Sequence, residues 1–323
     1  MKKILLTGAA GFIGSHLAER LVELGYLVRA FVRYNSRNQW GWLEESPVKG
    51  NLEVIAGDIR DYDSVWRAMN GCDSVFHLAA LIGIPYSYIS PLAYIRTNIE
   101  GTYNVLESAR ILELENVIIT STSETYGTAQ YVPIDEAHPS LGQSPYSASK
   151  IGADQLALSY YLSFKTPVRI VRPFNTYGPR QSARAVIPTV MTQILSGAPV
   201  RLGNLAPTRD FTYVRDTADG FIAIANCPDL TGQVTNIGMN HEISIGDLAA
   251  LISRVVGRKV KLTTEAERMR PDMSEVERLK CDNRKIISLT AWRPQYDLEK
   301  GLAETYQWIK KHQELYKPEI YNV

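Results

Sequence analysis

Residues 3–14 read Lys3-Ile4-Leu5-Leu6-Thr7-Gly8-Ala9-Ala10-Gly11-Phe12-Ile13-Gly14, an apolar run leading into three glycines spaced GxxGxxG. Residues 3–6 have the composition of a buried strand, and residues 14–24 carry helical spacing. A glycine-rich turn between a strand and a helix lets the backbone approach a pyrophosphate closely. The helix amino terminus adds unpaired N–H groups and the positive end of its dipole. Gly8, Gly11 and Gly14, with Phe12 and Ile13 opening the helix, are therefore candidate cofactor-binding residues. The plainer alternative is a turn that only packs a helix on a sheet.

The same alternation continues outward. Residues 27–32, 52–56, 74–78, 117–120 and 168–172 are further short apolar runs, and residues 62–69, 91–111 and 147–164 have helical spacing. Continuous Val/Ile/Leu runs are what strands buried on both faces require, so the pattern predicts an α/β chain with a doubly wound parallel sheet. Beyond Pro173, prolines at 179, 188, 199 and 207 break the alternation. We expect a dinucleotide-binding domain over residues 1–173 and mainly a substrate-binding lobe over 174–323. The chain is expected to return to the first domain around 215–238 and 280–290.

Composition sets the outer bounds. The 323 residues are 45% hydrophobic, and 35 Lys+Arg against 34 Asp+Glu leave a formal net charge of +1. Such a balance gives no electrostatic reason to expect nucleic acid or an anionic membrane as partner. Cys72, Cys227 and Cys281 are scattered without CxxC spacing, which excludes a disulfide framework and a zinc site and suits a reducing compartment. No apolar run reaches the roughly 18 residues of a membrane helix. The start Met1-Lys2-Lys3 followed by ILLTGAAGFIG resembles a signal peptide only superficially, because glycines interrupt it. The expectation is a cytoplasmic protein without a metal.

Three further positions carry chemistry. A dinucleotide-binding second strand normally ends in an acid that holds the adenosine ribose; here Val32 stands at that place and Arg33 follows. Loss of the carboxylate removes repulsion of a 2′-phosphate and a guanidinium can bind one, so the position leans toward NADP over NAD. Arg33 solvating the strand end is the alternative. Asp58, followed by Ile59, either reaches the adenine or caps the helix over 62–69. Tyr146 and Lys150 share one helix face at a spacing of four. At about 5 Å and an effective dielectric of ~20 the ammonium favours phenolate by roughly 3 kcal/mol, about two pKa units, making Tyr146 a usable acid/base. Thr122 follows an apolar strand at its carboxyl end, where its hydroxyl can share a substrate oxygen with Tyr146.

These stretches resemble a known family. TGAAGFIG (7–14), HLAA (77–80), TNIEGT (97–102), STSETYG (121–127), YSASK (146–150) and RPFNTYGPR (172–180) look like the extended short-chain dehydrogenase/reductases that act on nucleotide sugars. The resemblance implies a Rossmann-type sheet, a tightly bound and recycled NADP or NAD, and a Thr122–Tyr146–Lys150 triad that oxidises a sugar at C4. His77 reads as structural. Ser123 and Glu124 complete a Thr-Ser-Glu run similar to that of 4,6-dehydratases, with Glu124 as base for the C5 proton. An exposed acid at a strand end is the alternative for Glu124. The dTDP-glucose enzymes of this type have Asp in place of Ser123. Proton delivery to the departing C6 hydroxyl therefore stays open, and so does the choice between a 4-keto-6-deoxy and a 5,6-unsaturated product.

Residues 81–88 and 172–189 are most similar to the dehydratases that open legionaminic- and pseudaminic-type pathways from a nucleotide-activated N-acetylglucosamine. That resemblance implies a nucleotide-hexosamine, in the first instance UDP-N-acetylglucosamine, as substrate. Asn175, Arg209 and Arg270 match the family's diphosphate-contacting positions; Arg180 and Arg184 are weaker candidates. A homodimer pairing residues 94–111 and 147–164 of two chains is also implied. The alternatives are a C4-epimerase or uronate decarboxylase, disfavoured by Glu124, and a non-catalytic cofactor sensor, disfavoured by the intact triad.

Overall fold

The glycine turn lies between β1 (Lys3–Thr7) and α1 (Phe12–Glu23), in the computed structural model, which describes residues 2–259 and 261–321. The other five apolar runs of the first half form β2 (Leu27–Arg33), β3 (Leu52–Gly57), β4 (Ser74–His77), β5 (Asn116–Thr120) and β6 (Val168–Pro173). Between them lie α2 (Tyr62–Met69), α3 (Ile84–Ile89), α4 (Pro91–Tyr94), α5 (Gly101–Ile111) and α6 (Pro145–Phe164). The later chain holds short strands, β7 (Asn175–Tyr177), β8 (Val200–Leu202), β9 (Thr208–Arg209) and β10 (Phe211–Tyr213). It continues through β11 (Val234–Ile237), β12 (Ile243–Ser244) and β13 (Leu262–Thr264). Its main helices are α7 (Val186–Ser196), α8 (Val214–Ala225), α9 (Ile245–Val256), α10 (Arg284–Leu289) and α11 (Leu298–Lys311).

Seven strands make one parallel sheet in the order β3-β2-β1-β4-β5-β6-β11. This is the doubly wound Rossmann arrangement, and strand order reverses between β1 and β4. A ligand crevice therefore opens at the carboxyl ends of those two strands. Helices α1 and α8 cover one face with Leu17, Leu21 and Phe221. Helices α2, α5 and α6 cover the other with Val65, Leu106 and Ala157. A further core of Val190, Met191, Tyr213, Leu248, Ile252 and Leu302 joins α7, α9 and α11 around the paired short strands.

The helix expected over residues 91–111 is a rod in three pieces, with a π-helical stretch, Ile95–Glu100, between α4 and α5. Such a stretch bulges the rod and marks functional places in helices. Among the described residues no helix is long and apolar enough to cross a membrane.

Candidate active site

The glycines of the turn are required by close approach. Gly8 has φ +72°, and a Cβ on it would stand 2.7 Å from the Ala79 nitrogen; one on Gly14 would stand 2.1 Å from the Gly8 carbonyl oxygen. Neither space tolerates a side chain. Gly11 caps α1 without a side-chain hydrogen bond, and the first turn, opening with Phe12 and Ile13, carries no acid. The helix's first N–H groups thus face the turn without an internal anion, which fits the pyrophosphate of a dinucleotide. His77, buried behind the turn, shares hydrogen bonds with Thr7 Oγ1 at 2.8 Å and Thr102 Oγ1 at 3.2 Å. Burial, and secondarily the Lys150 charge, lower its pKa to about 3, so it straps the turn to α5 as a neutral ring.

Arg33 is exposed at the end of β2. Its neighbour across the crevice edge is Asp58, whose carboxyl is held below its usual pKa, chiefly by Arg60 and also by Arg33. Asp58 does not cap α2. Asp61 does, accepting from the Asp63 N–H at 3.1 Å. Ile59 is buried against Gly101, and its carbonyl accepts from Asn104 Nδ2 at 3.0 Å.

The strand-end run begins at Thr122, whose Oγ1 accepts from the Glu124 N–H at 3.2 Å and so caps a short 3-10 turn, Ser123–Tyr126. Ser123 is buried, while Glu124 is half-buried and not an exposed strand-end acid. Tyr146 enters from the first turn of α6, after Pro145. Ser144 and Ser147 cap that turn reciprocally, at 3.1 Å from the Ser147 N–H to Ser144 Oγ and 3.0 Å from the Ser144 N–H to Ser147 Oγ. The Thr122 hydroxyl lies beside the Tyr146 phenol and favours its ionised form.

The packing runs against the expected effect of Lys150 on Tyr146. Burial pushes the Tyr146 phenol above its usual pKa; the Thr122 hydroxyl opposes this and the Glu124 carboxylate adds to it. Lys150, 3% exposed, turns its ammonium to the Thr120 carbonyl at 2.6 Å. Burial lowers its own pKa. A spacing of four placed both groups on one face but did not fix where a long lysine side chain would find its first acceptor.

Arg209 and Arg270 come together on one carboxylate, that of Glu275, at 3.3 Å and 3.6 Å. Arg209 is buried, which lowers its pKa, and Glu124 is the strongest negative charge acting on it. The Arg270 Nη1 is buried without a hydrogen bond among the described residues, and so is the side-chain oxygen of Asn175. Two cations brought together in this way suit a diphosphate. Arg180 is elsewhere: it pairs with Glu19 at 2.8 Å and bonds Ser15 Oγ at 3.1 Å, tying its loop to α1.

Sequence reasoning missed three further participants. Asn98, in the π-helical stretch, clamps both backbone groups of Leu81, at 2.9 Å and 3.0 Å, and donates to Ser149 Oγ at 2.9 Å. Tyr94 packs edge-on against Tyr146, centroids 6.2 Å apart. Asp154 pairs with Arg172 at 2.8 Å and accepts from Ser121 Oγ at 2.7 Å, all buried. A polar TNIEGT in an otherwise apolar helix was the signal for Asn98; Asp154 was legible only as a carboxylate four residues beyond Lys150.

With this geometry in view, comparisons with known proteins give a consistent answer. The family model described as GDP-mannose 4,6 dehydratase matches residues 5–305. UDP-N-acetyl-alpha-D-glucosaminuronate decarboxylase of Bacillus cytotoxicus is 34% identical over 96% of this chain and 98% of its own length. The dTDP-glucose 4,6-dehydratase of Streptomyces antibioticus is 31% identical over 98% of this chain and 94% of its own. Among solved structures, DesIV, a dTDP-glucose 4,6-dehydratase from Streptomyces venezuelae with NAD and TYD bound, superposes with a TM-score of 0.87 at 28% identity, covering 98% of this chain and 99% of that one. A glycine cradle, a strand-end Thr-Ser-Glu, a Tyr–Lys helix and this match over nearly the whole chain make it a member of the GDP-mannose 4,6 dehydratase family, among the nucleotide-sugar enzymes of the extended short-chain dehydrogenase/reductases.

Proposed function

We propose that the chain is a dehydratase acting on a nucleotide-activated N-acetylhexosamine, UDP-N-acetylglucosamine in the first instance. The observation that carries this reading is Glu124, half-buried beside Thr122 and Tyr146 and balanced by Arg209. Bound in the glycine cradle, NAD or NADP supplies a hydride acceptor that is restored within the cycle. Tyr146, with the Thr122 hydroxyl beside it and Lys150 one turn further along α6, takes the proton of the sugar 4-hydroxyl as C4 becomes a ketone. The ketone acidifies the C5 proton, which Glu124 removes. The C6 hydroxyl leaves as water, taking its proton from Glu124 or from solvent, since Ser123 is a weak acid. A 4-keto-6-deoxy product would need hydride at C6 together with a proton returned to C5 by Glu124 or solvent; a 5,6-unsaturated product would need hydride at C4 together with the proton returned from Tyr146 to the 4-oxygen.

Arg209, Arg270 and Asn175 hold the diphosphate in this reading, and Arg33 and Asp58 flank the adenosine end of the cofactor. The chain works as a homodimer, and its three free thiols suit the cytoplasm.

Incubation with UDP-N-acetylglucosamine, followed by mass and NMR, tests the reading. Loss of one water supports it. Glu124→Gln is expected to abolish water loss while sparing C4 oxidation, seen as reduced cofactor absorbance. If no UDP-, GDP- or CDP-linked N-acetylhexosamine loses water, the reading fails. A second reading, decarboxylation of the corresponding uronate, is favoured by the 34% identical relative. It requires a C6 carboxylate to sit against Glu124, a like-charge contact that only Arg209 offsets. Loss of carbon dioxide from the uronate, with no water loss from the neutral sugar, decides for it.

A further inference from the structure

A hexose bound in this cleft presents four edges, and the site as proposed accounts for three. Tyr146 and Thr122 meet C4, Glu124 meets C5 and C6, and Arg209 with Arg270 meet the phosphates on C1. In the proposed placement the edge left over, C2 and C3, meets a further flank of Tyr146. That flank is Tyr94, edge-on to Tyr146 at 74° and tilted against Tyr86 at 6.2 Å. Tyr94 donates its hydroxyl to the Gly83 carbonyl.

A cation lies at this flank. Arg184, in the loop before α7, reaches Gly83: a Cβ there would stand 3.4 Å from Arg184 Nη1 and 3.6 Å from the Tyr94 hydroxyl. Its Nε bonds Ser182 Oγ at 3.3 Å, but both Nη groups are without a hydrogen-bond partner, and the guanidinium has no carboxylate, among the described residues. Arg180 in the same loop is pinned to α1, so the loop is held while Arg184 is left free. Leu81 and Ile84 pack in one cluster with Tyr94 and Tyr146, and the Tyr86 ring is half-open.

We infer that Arg184, with Gly83 and the Tyr86–Tyr94 pair, forms a subsite for the 2-acetamido group of the sugar and sets the preference for an N-acetylated hexose over a plain one. An acetamido group needs two things at once, a donor for its carbonyl oxygen and an apolar contact for its methyl. Arg184 supplies the first and the tyrosines the second. Gly83 has no Cβ to fill the space between them. A plain 2-hydroxyl uses neither fully, so its binding gains little from the cation. The inference rests on the proposed placement of a hexose with its C4 hydroxyl on Tyr146.

Binding affinities separate this from the reaction itself. Calorimetric titration of the NAD-loaded enzyme with UDP-N-acetylglucosamine, UDP-glucose and UDP is compared for the native chain and for Arg184→Gln. The expected result is a loss of tenfold or more for UDP-N-acetylglucosamine and less than twofold for the other two. Gly83→Ala, which narrows the same space, is expected to weaken UDP-N-acetylglucosamine selectively while retaining UDP. An equal loss on all three ligands makes Arg184 a phosphate or long-range contact and overturns the inference, as does no loss at all. Because no turnover is measured, a failed dehydration assay leaves this result independently readable.

Discussion

Lys150 has almost no water around it, and burial alone pulls its pKa below 10.5; Asp154, one turn further along α6, pulls it back up. Asp154 is in turn paired with Arg172 and accepts from Ser121, so the charge that keeps Lys150 protonated is itself held by a buried cation and a strand-end hydroxyl. This makes Asp154 a positioning residue for the ammonium, and Asp154→Asn should move a titration, not only a stability. With the carboxylate gone, the folded pKa of Lys150 falls further. The high-pH limb of the kcat profile, where the ammonium is lost, is then expected to move to lower pH. Stranding Arg172 also costs about 3–5 kcal/mol of stability, so the profile is read at a temperature where circular dichroism shows the variant folded. An unmoved limb with lowered stability makes Asp154 no more than the partner of Arg172. The substrate end follows the same logic of paired charges: Glu275 holds Arg209 and Arg270 together, and sequence spacing alone carried no sign of it.

At the scale of elements, what was legible had long-period or continuous patterning. Six strands of the main sheet and α1, α2 and α6 came from apolar runs and helical spacing, because burial on one or two faces writes itself into successive residues. The short strands β7 to β10 did not, since pairings of two or three residues are too brief for any period and depend on partners far along the chain. The rod over residues 91–111 was read as one helix. Its π-helical stretch is set by Asn98 reaching Leu81 and Ser149, a tertiary demand that propensity does not register. Tyr146 and Lys150 were legible as a pair, but not the cap that aims them. Ser144 and Ser147 fix the first turn of α6, and Tyr146 lies inside that turn. Ser144→Ala is expected to destabilise the fold by about 1 kcal/mol and lower the melting temperature by a degree or two. It should also depress kcat more than KM, because the phenol loses its fixed approach. A fall in melting temperature with kcat intact would show that the cap serves stability alone.

For the whole molecule, the rod of α4, its π-helical stretch and α5 lies beside α6, and both leave apolar groups outside: Ile95 is 50% exposed and Leu162 68%, with Leu92 and Tyr103 also open. Helix α6 mixes apolar, aromatic and small polar residues around its circumference over Pro145–Phe164 and has no distinct polar face, yet one chain covers only part of it. A second copy meeting the same two helices would bury this face symmetrically, as isologous pairing requires, and would steady α6, on which Tyr146 and Lys150 both stand. Light scattering of the native chain is therefore expected to give twice the chain mass. Tyr103→Glu combined with Leu162→Glu puts two charges on groups that are exposed in the single chain. They cost that chain little but must be desolvated where copies meet, so the variant is expected to run as a monomer with unchanged far-ultraviolet circular dichroism. Its kcat should fall as α6 loses its cover, while the cofactor, held by the glycine turn on the far side of the sheet order reversal, stays bound. A native chain of single mass, or a doubly charged variant that still dimerises, removes this face from the assembly.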